Sequence, residues 1–426
     1  MISLVMFGVF ALLAVLGMPL AYALGWAGFV GVLIGGFPLE QLAGKMVYAL
    51  DSFPLMAIPL FMLAGQLMVR GGIMERLIDL SDAVVGRVTG GLGLVTVGSA
   101  MGLSSVSGSS VADATALGAT LGPSLSKSYS KPFGAALVAS ASNLGPILPP
   151  SIGMIVYAVA AGDVSVGGLF VAGILPGVLL GLGTMVLCWF IARRRGYPVS
   201  GSEFSTRRVI RELRRSIIVL LMPVLVVGGI VGGVFTATEG AAIAVLYALI
   251  IGFLITRKLK LSDLGPALLN AGIITAVVGA LIAFSSQVTY LLTAEMIAPQ
   301  LAAFLTDLTA NPLMFTIFTM LLLVLIGMFM EANAAYLMLV PIIAPVAAVY
   351  GIDPIYFGFL FVMNITIGGI TPPVGILLIV TSGIWRIKVA EIIREILPFI
   401  CLQFGLLFVM MLFPDIILFL PRLAGY

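Results

Sequence analysis

Long apolar runs separated by short polar loops recur along the whole chain. Runs such as 166–192 and 397–420 lack a regular alternation of apolar and polar positions, and a helix needs about 20 apolar residues to cross a bilayer. We therefore predict an all-α polytopic membrane protein. The predicted crossings are residues 2–15, 17–35, 52–69, 132–161, 166–192, 216–236, 239–256, 264–293, 354–385 and 397–420, with hairpins at about 90–123 and 312–350.

The composition supports this prediction. Of 426 residues, 61% are hydrophobic and 9% are charged, and the mean hydropathy is +1.23. The net charge of +3 lies in short loops, where it acts as a topology signal and gives no indication of nucleic-acid binding. The chain has no His, and Cys188 and Cys401 lie in apolar runs, which argues against a zinc site, a disulfide framework or His-dependent catalysis. The first charged residue is Glu40, so we expect the N-terminus to remain as the first helix.

The chain contains an internal repeat. The segment ILPPSIG recurs as ITPPVG, and the first proline moves from Pro149 to Pro372, 223 residues later. Upstream, SVADATALGATLGP ends at Pro123 and ANAAYLMLVPIIAP ends at Pro345, 222 residues later. The two landmarks agree to within one residue, so we predict two copies of one structural unit.

Charge indicates that the two copies have opposite orientations in the membrane. Wherever one copy has a loop rich in Lys and Arg, the matching loop of the other copy has none, which is the pattern of inverted repeats. On the predicted path, 19 of the 21 Lys and Arg residues share the cytoplasmic side, with only Lys45 and Arg422 outside. The predicted units are a first repeat at 1–192, a basic cytoplasmic linker at 193–215 and a second repeat at 216–426.

Three smaller segments have a helical pattern. Residues 207–215 are rich in Arg and predict a short basic helix at the cytoplasmic face. Residues 74–80 and 388–396 mix charged and aliphatic residues at helical spacing, which favours helices lying along the membrane surface.

Each repeat combines a hairpin with a broken helix. The Gly and Ser residues of 102–110 predict the tip of a re-entrant hairpin, and the second tip is predicted near 327–333. Each hairpin precedes a crossing interrupted by Pro-Pro, which opens the helix and frees backbone oxygens. One such motif alone is typical of helix packing or a kink. Two matched sets predict a midplane site, where carbonyls suit sodium and helix N-termini suit a carboxylate.

Intramembrane acids are costly, so each needs a partner, a proton or a cavity. Asp113 and Glu331 follow the two predicted tips and are expected either to cap a helix or to face a ligand. Glu239, beside Thr236, is expected to order a helix start. Glu295 and Asp307 lie in a predicted loop, where we expect them to be solvated.

Several segments, taken in order, resemble the large membrane (M) subunit of tripartite ATP-independent periplasmic (TRAP) transporters. The resemblance covers essentially the whole chain, and its combination of motifs is specific. The matching segments are DSFPLMAIPLFMLAGQLM (51–68), SGSSVADATALG (107–118), LGPILPPSIGMIVYA (144–158), GGVFTATEGAAIAV (232–245) and NITIGGITPPVG (364–375).

The resemblance implies an elevator-type secondary transporter of the ion transporter superfamily in a bacterial or archaeal inner membrane. It implies import of an organic acid, such as a C4-dicarboxylate or sialic acid, driven by two or more sodium ions. It also implies two partners, a small four-helix membrane subunit and a periplasmic solute-binding protein that delivers the substrate. Because this chain begins at the first helix of the large subunit, we expect the small subunit to be a separate polypeptide.

The resemblance also implies site residues, most of which would use backbone carbonyls for sodium. The first sodium site would comprise Ser104, Ser107, Gly108, Gly145, Leu148 and Pro149. The second would comprise Gly327, Met330, Thr366, Gly369 and Pro372. The polar groups expected near the substrate are Ser109, Ser110, Asn143, Asn333 and Asn364.

Other functions remain open at this stage. A related sodium/carboxylate symporter or exchanger would need no binding protein, and a channel would lack saturable, sodium-dependent flux. An intramembrane enzyme is disfavoured because the chain has no His and no paired acids at catalytic spacing. The sequence does not identify the organic acid.

Overall fold

The computed structural model describes residues 2–199 and 204–426, and all regular elements in those ranges are helical. The all-α prediction is therefore confirmed. The helices of the first half are α1 (Ile2–Val15), α2 (Leu20–Gly35), α3 (Leu39–Leu50), α4 (Ala57–Arg70), α5 (Ile73–Val85), α6 (Gly91–Ser107), α7 (Ser110–Ser128), α8 (Lys131–Ser142), α9 (Ile152–Ala161) and α10 (Val166–Arg194).

The second half has the same number of α-helices in the described ranges. They are α11 (Thr206–Val231), α12 (Ala237–Ile250), α13 (Leu261–Ala294), α14 (Ile297–Leu308), α15 (Pro312–Gly327), α16 (Ala332–Val349), α17 (Pro354–Gly368), α18 (Ile376–Trp385), α19 (Val389–Leu412) and α20 (Asp415–Leu423). A short 3-10 helix, Phe53–Met56, precedes α4, and a π-helical turn, Ile251–Ile255, extends α12.

The helix bounds follow the repeat found in the sequence. Shifting the bounds of α6, α7, α8 and α9 by 223 residues places them on α15, α16, α17 and α18, with all ends agreeing to within three residues. Each repeat thus contains a helical hairpin followed by a crossing that is divided into two short helices.

Seven helical segments in the described ranges are long and apolar enough to cross a membrane, so the protein is a multi-pass membrane protein. They are Phe53–Arg70, Val166–Arg194, Thr206–Val231, Ala237–Ile255, Leu261–Ala294, Ala332–Val349 and Val389–Leu412. The helices of the two broken crossings have only 10 to 15 residues each. A sharp bend of 119° separates α14 from α15.

Several predicted boundaries change in the structure. The basic segment 207–215 is the first part of the continuous helix α11, and 388–396 forms most of the first part of α19. In both helices the charged segment continues directly into the apolar segment, so the chain has no break between a surface helix and a membrane crossing. The predicted linker 193–215 is helical at both ends, and its residues 200–203 lie outside the described residues. Segment 74–80 lies within the separate helix α5.

The two hairpins and the two broken crossings pack together at the centre of the protein. All residues from Phe133 to Asn143 and from Tyr356 to Gly368 are buried, so the first arm of each broken crossing is enclosed on all sides. Helix α7 packs on α8 and α18, and α9 packs on α16. Helices α4 and α13 pack against each other at the edge of this central body.

Glu295 differs from its prediction as a solvated loop residue. Its carboxylate accepts hydrogen bonds from the backbone N–H groups of Ile2 and Ser3, at 3.1 and 2.8 Å. Hydrogen bonds from Ser3 and Ile2 lower the pKa of Glu295 to about 2. Glu295 therefore satisfies donors that the start of α1 would otherwise leave unpaired.

Candidate functional site

The first hairpin turns at Gly108, between α6 and α7. Gly108 adopts a left-handed conformation with φ of 61°, which favours glycine, and its N–H donates to the carbonyl of Ser104. The next residue, Ser109, caps α7, and its hydroxyl accepts a hydrogen bond from the N–H of Ala112 at 3.5 Å. The tip is therefore a tight, well-defined turn.

Asp113 holds this tip together from inside. It is fully buried, and one carboxylate oxygen accepts a hydrogen bond from the Ser104 hydroxyl at 2.7 Å, while the other accepts one from the Ser107 hydroxyl. Because Ser109 already caps α7, Asp113 is not the helix cap, and it is not among the residues that line the adjacent cavity. Its role is to fix the two hydroxyl groups as donors, which leaves a lone pair available on each oxygen, although the Ser107 oxygen also accepts a hydrogen bond from the N–H of Ser109 at 3.3 Å.

The first broken crossing unwinds between α8 and α9, over residues 143–151. This segment contains a cis peptide bond between Pro149 and Pro150. Ser151 orders its end, because the Ser151 hydroxyl donates to the carbonyl of Pro146 at 2.6 Å and accepts from the N–H of Met154 at 3.3 Å. The break is thus a structured loop inside the protein.

The hairpin tip and the unwound segment touch through their backbones. A Cβ atom added to Gly145 would lie 2.8 Å from the backbone N of Ser110 and 3.0 Å from the Asp113 carboxylate. A Cβ added to Gly108 would lie 2.9 Å from the carbonyl oxygen of Pro150. The structure therefore brings together Ser104, Ser107, Gly108 and Gly145 of the predicted first sodium site.

The second repeat has a matching contact. The second tip lies between α15 and α16, and the second break lies between α17 and α18, with a cis bond between Pro372 and Pro373. The N–H of Gly375 donates to the carbonyl of Met328 at 3.2 Å. A Cβ added to Gly368 would lie 2.6 Å from the carbonyl carbon of Gly327. Tip and break again meet through glycine backbones.

The remaining predicted sodium ligands lie at or near these contacts. Pro149 and Pro372 lie in the two unwound segments, and Met330 lies in the second tip. The Leu148 side chain points away, toward Gly177 of α10, so only its backbone belongs to the break.

Thr366 lies inside α17, and its hydroxyl donates to the carbonyl of Val362 at 2.6 Å. The Gly369 carbonyl accepts a hydrogen bond from the N–H of Leu377 at 3.0 Å.

Asn143 and Asn364 do not lie where the substrate prediction placed them. Both are fully buried and outside the cavity described below. The Asn143 amide donates to Oε1 of Gln403 at 2.7 Å, and the Asn364 amide donates to the carbonyl of Met320 at 2.7 Å. In both residues Oδ1 is buried without a hydrogen-bond partner among the described residues. Each broken crossing therefore has one unpaired amide oxygen, of Asn143 at the end of α8 and of Asn364 inside the last turns of α17.

Gln403 sets the orientation of Asn143. This fully buried residue of α19 donates from Nε2 to the Ser140 hydroxyl at 3.2 Å. Its Oε1 is therefore turned toward the Asn143 amide nitrogen, which leaves Asn143 Oδ1 unpaired. No local sequence pattern indicates this contact, which joins residues 260 positions apart.

Replacing Gln403 by Leu should destabilise the protein by about 1–3 kcal/mol, because the Asn143 amide and the Ser140 hydroxyl would lose buried partners. Thermal unfolding of the purified protein measures the change. Gln300→Leu is the control, because Gln300 is exposed. Equal destabilisation by the two substitutions would contradict the assigned role of Gln403.

A cavity of about 650 Å³ lies between the two hairpin tips and the neighbouring helices α4 and α13. Ser109, Ser110 and Asn333 line it, as predicted for polar groups near a substrate. Gln66, Thr115 and Asn270 also line it, although they were not among the residues predicted from the sequence. Gln66 and Asn270 are each a lone polar residue within an apolar segment, FMLAGQLM and ALLNAGII, which is a signal that could have identified them.

Three helix N-termini meet at this cavity. The first residues of α7 (Ser110), α9 (Ile152) and α16 (Ala332) all line it. Helix N-termini carry partial positive charge and unpaired N–H groups, so their convergence creates a site for an anion. No Lys or Arg is among the described residues that line the cavity.

The other intramembrane acids act as helix caps. Glu331 caps α16 by accepting hydrogen bonds from the N–H of Ala334 at 3.1 Å and the amide of Asn333 at 2.9 Å, and it also lines the cavity. Glu239 forms a reciprocal capping box with Thr236 at the start of α12. The Glu239 capping box matches its prediction, whereas Glu331 combines the two alternatives predicted for it, because it caps α16 and also lines the cavity.

Comparison with known proteins gives a consistent family assignment. The profile of the family described as "Tripartite ATP-independent periplasmic transporter, DctM component" matches residues 7–416. The chain is 38% identical over 405 residues to the C4-dicarboxylate TRAP transporter large permease protein of Pseudomonas aeruginosa, with 95% of this chain and 94% of that protein covered. It is 36% identical over 417 residues to the isethionate TRAP transporter permease protein of Oleidesulfovibrio alaskensis, and this match covers 97% of the chain but 66% of that longer relative.

One solved structure supports the fold. The crystal structure of the YdaH transporter of Alcanivorax borkumensis aligns with a TM-score of 0.61 and covers 88% of this chain and 87% of that one. Its sequence identity is 17%, so the likeness concerns the fold alone.

Proposed function

We propose that this chain, which belongs to the DctM component family of TRAP transporters, imports an organic anion together with sodium ions. The family is one of transporter permeases and not of enzymes. The proposal places the chain in a bacterial or archaeal inner membrane as the large subunit of a three-part system. The observation that carries it is the cavity between two matched hairpin tips, where three helix N-termini meet.

The cavity suits an anion of modest size. Its volume of about 650 Å³ lies in the range of small-molecule sites. Backbone N–H groups at helix starts, together with Ser109, Ser110 and Asn333, supply donors for a carboxylate or a sulfonate. The two relatives described above are named for a C4-dicarboxylate and for isethionate, which supports an organic acid as the substrate class.

Sodium fits the contact between each tip and its break. At the first contact, Asp113 accepts the hydroxyl hydrogens of Ser104 and Ser107, so the serine oxygens can accept a cation. Within or at the end of the first helix of each broken crossing a buried amide oxygen, of Asn143 or Asn364, is unpaired among the described residues. Hydroxyl, amide and backbone carbonyl oxygens are the ligands that a hard monovalent cation prefers.

A second cavity supports alternating access. It has a volume of about 530 Å³ and is lined by Lys45, Ser52 and Thr289. Helix α16 borders both cavities, because Tyr336 lines the first and Leu337 lines the second. The first cavity reaches Val69, next to the basic loop predicted to be cytoplasmic. We therefore infer that the first cavity opens toward the cytoplasm, and an elevator movement would carry the tips past α16.

The energetics favour more than one sodium ion. Moving one charge across 100 mV is worth about 2.3 kcal/mol, so a monoanion entering alone moves against an inside-negative potential. Two sodium ions with one monoanion carry net positive charge inward, and both gradients then drive uptake.

Reconstitution tests this function. With the small membrane subunit and the periplasmic binding protein present, proteoliposomes should take up a C4-dicarboxylate, sialic acid or isethionate only under an inward sodium gradient. Uptake should saturate, and replacing external sodium by choline should abolish it.

The same assay separates the alternatives. Uptake that needs no binding protein would indicate a stand-alone symporter or exchanger. Flux that neither saturates nor depends on sodium would indicate a channel. Either result would overturn the proposed three-part mechanism.

A further inference from the structure

Three of the five arginines near the start of α11 are paired with acids, one on α5 and one on α11 itself. Arg208 binds Asp82 of α5, with Nη2 and Oδ2 separated by 2.7 Å. Glu212, which is 4% exposed, binds Arg211 at 2.8 Å and Arg215 at 3.5 Å. These acids are therefore committed to structural ion pairs.

The other two arginines of this segment, Arg207 and Arg214, are exposed and have no acidic partner in the ranges 2–199 and 204–426. Arg214 lies at helical spacing from Ile210, Ile217 and Leu221, and each of these three is almost half exposed. Exposed aliphatic residues on a membrane helix are accessible to lipid acyl chains. Arg207 and Arg214 therefore lie along the N-terminal part of an exposed apolar stripe on α11, which is formed by Ile210, Ile217 and Leu221.

Helix α10 ends in the same way. Val186 and Phe190 are 64% and 57% exposed, and Arg193 follows them on the same side of the helix. The Arg193 guanidinium lies over the ring of Trp189, 5.5 Å from its centre. Arg193 and the exposed Arg194 lack acidic partners within the described part of the chain, whereas Arg195 binds Glu395 at 2.8 Å.

The two arginine-rich ends lie beside the same connection, which links α5 to α6. A Cβ added to Gly90, in that connection, would lie 2.3 Å from Cβ of Ala192 near the end of α10. Asp82, near the end of α5, holds Arg208 of α11. The unpaired arginines of α10 and α11 therefore lie at two helix ends that both contact the segment from Asp82 to Gly90, and together we call them the arginine patch (Arg193, Arg194, Arg207 and Arg214).

We propose that the arginine patch binds the headgroups of anionic phospholipids. Guanidinium groups donate paired hydrogen bonds to phosphate oxygens, and arginines just outside a membrane helix attract anionic lipid. The acyl chains would lie along the apolar stripes of α10 and α11, which lead directly into the patch. A soluble phosphate would make no use of these stripes, so a lipid is the ligand that fits both features.

Tryptophan quenching tests this proposal, because the chain has only three Trp residues, Trp26, Trp189 and Trp385. A variant with W26F and W385F retains Trp189 beside the patch. A variant with W189F and W385F retains Trp26, which is exposed on α2 and serves as the control. Each full-length protein is placed in nanodiscs of phosphatidylcholine with a minority of phosphatidylglycerol. In one sample the phosphatidylglycerol is brominated, and in the other an equal mole fraction of the phosphatidylcholine is brominated.

Brominated phosphatidylglycerol should quench Trp189 more strongly than brominated phosphatidylcholine. The local concentration of phosphatidylglycerol at the patch should rise about fivefold for each arginine that binds a headgroup. Trp26 should show no such preference. Adding R193Q and R214Q should reduce the preference at Trp189 by about 25-fold, fivefold for each arginine removed, whereas R215Q should retain it because Arg215 is paired with Glu212. High salt should also reduce the preference in the protein with its arginines intact.

Two results would overturn the proposal. One is equal lipid preference at Trp189 and Trp26. The other is a preference at Trp189 that survives both R193Q/R214Q and high salt. The salt series needs no arginine substitution, so the test stands even where a variant folds poorly, and it does not depend on transport activity.

Discussion

Asp113→Asn should raise the sodium concentration for half-maximal stabilisation by at least about tenfold, equivalent to about 1.4 kcal/mol. The two Asp113 oxygens each accept one serine hydroxyl, but an asparagine amide nitrogen donates and cannot accept. One serine would therefore have to turn its hydrogen elsewhere, and its oxygen would no longer be fixed for a cation. The loss of a nearby negative charge adds to this effect.

Thermal unfolding of the purified protein in sodium chloride or choline chloride measures the sodium dependence. Asp307→Asn is the matched control, because it makes the same chemical change at an exposed position. The assigned role of Asp113 would be refuted by a sodium response in Asp113→Asn equal to that of the control.

Gly145→Ala should weaken sodium binding about five- to hundredfold, as expected for about 1–3 kcal/mol of overpacking. The added methyl group would lie 2.8 Å from the backbone of Ser109 and Ser110. Because backbone atoms cannot move aside as a flexible side chain can, the tip and the break would separate. The same sodium titration measures the effect.

Gly405→Ala provides the control for this substitution. Gly405 lies in α19, and a Cβ there would meet no other atom within 4 Å, so alanine should leave sodium binding unchanged. The steric account of Gly145 fails if the two alanine variants titrate alike.

The sequence predicted the hairpins and breaks because their signals are local. Gly and Ser at the first tip, and Pro-Pro in each crossing, act on their own backbone. The short helices α3 and α14 were missed because they are amphipathic and lie outside long apolar runs. The prediction separated a charged surface helix from the membrane crossing in both α11 and α19, whereas each is one continuous helix in the structure. Charged residues at the start of a long helix have the same pattern as a separate surface helix.

The site was predicted less completely, because its polar groups depend on distant contacts. Asn143 and Asn364 were expected near the substrate, yet their amides are held by Gln403 and Met320. The two roles considered for Asp113 were a helix cap and a ligand-facing group. The structure gives it a third, because Ser109 caps the helix and the carboxylate turns inward to Ser104 and Ser107.

The central claim is that each contact between a hairpin tip and its break holds one sodium ion. Equilibrium binding of radioactive sodium to the purified protein tests it most directly, with Gly145→Ala to disrupt the first contact and Gly368→Ala to disrupt the second. We expect two ions for the unmodified protein, and one ion for each variant at a concentration that saturates the intact sites. Absence of specific sodium binding in the unmodified protein, or unchanged stoichiometry in both variants, would contradict the account.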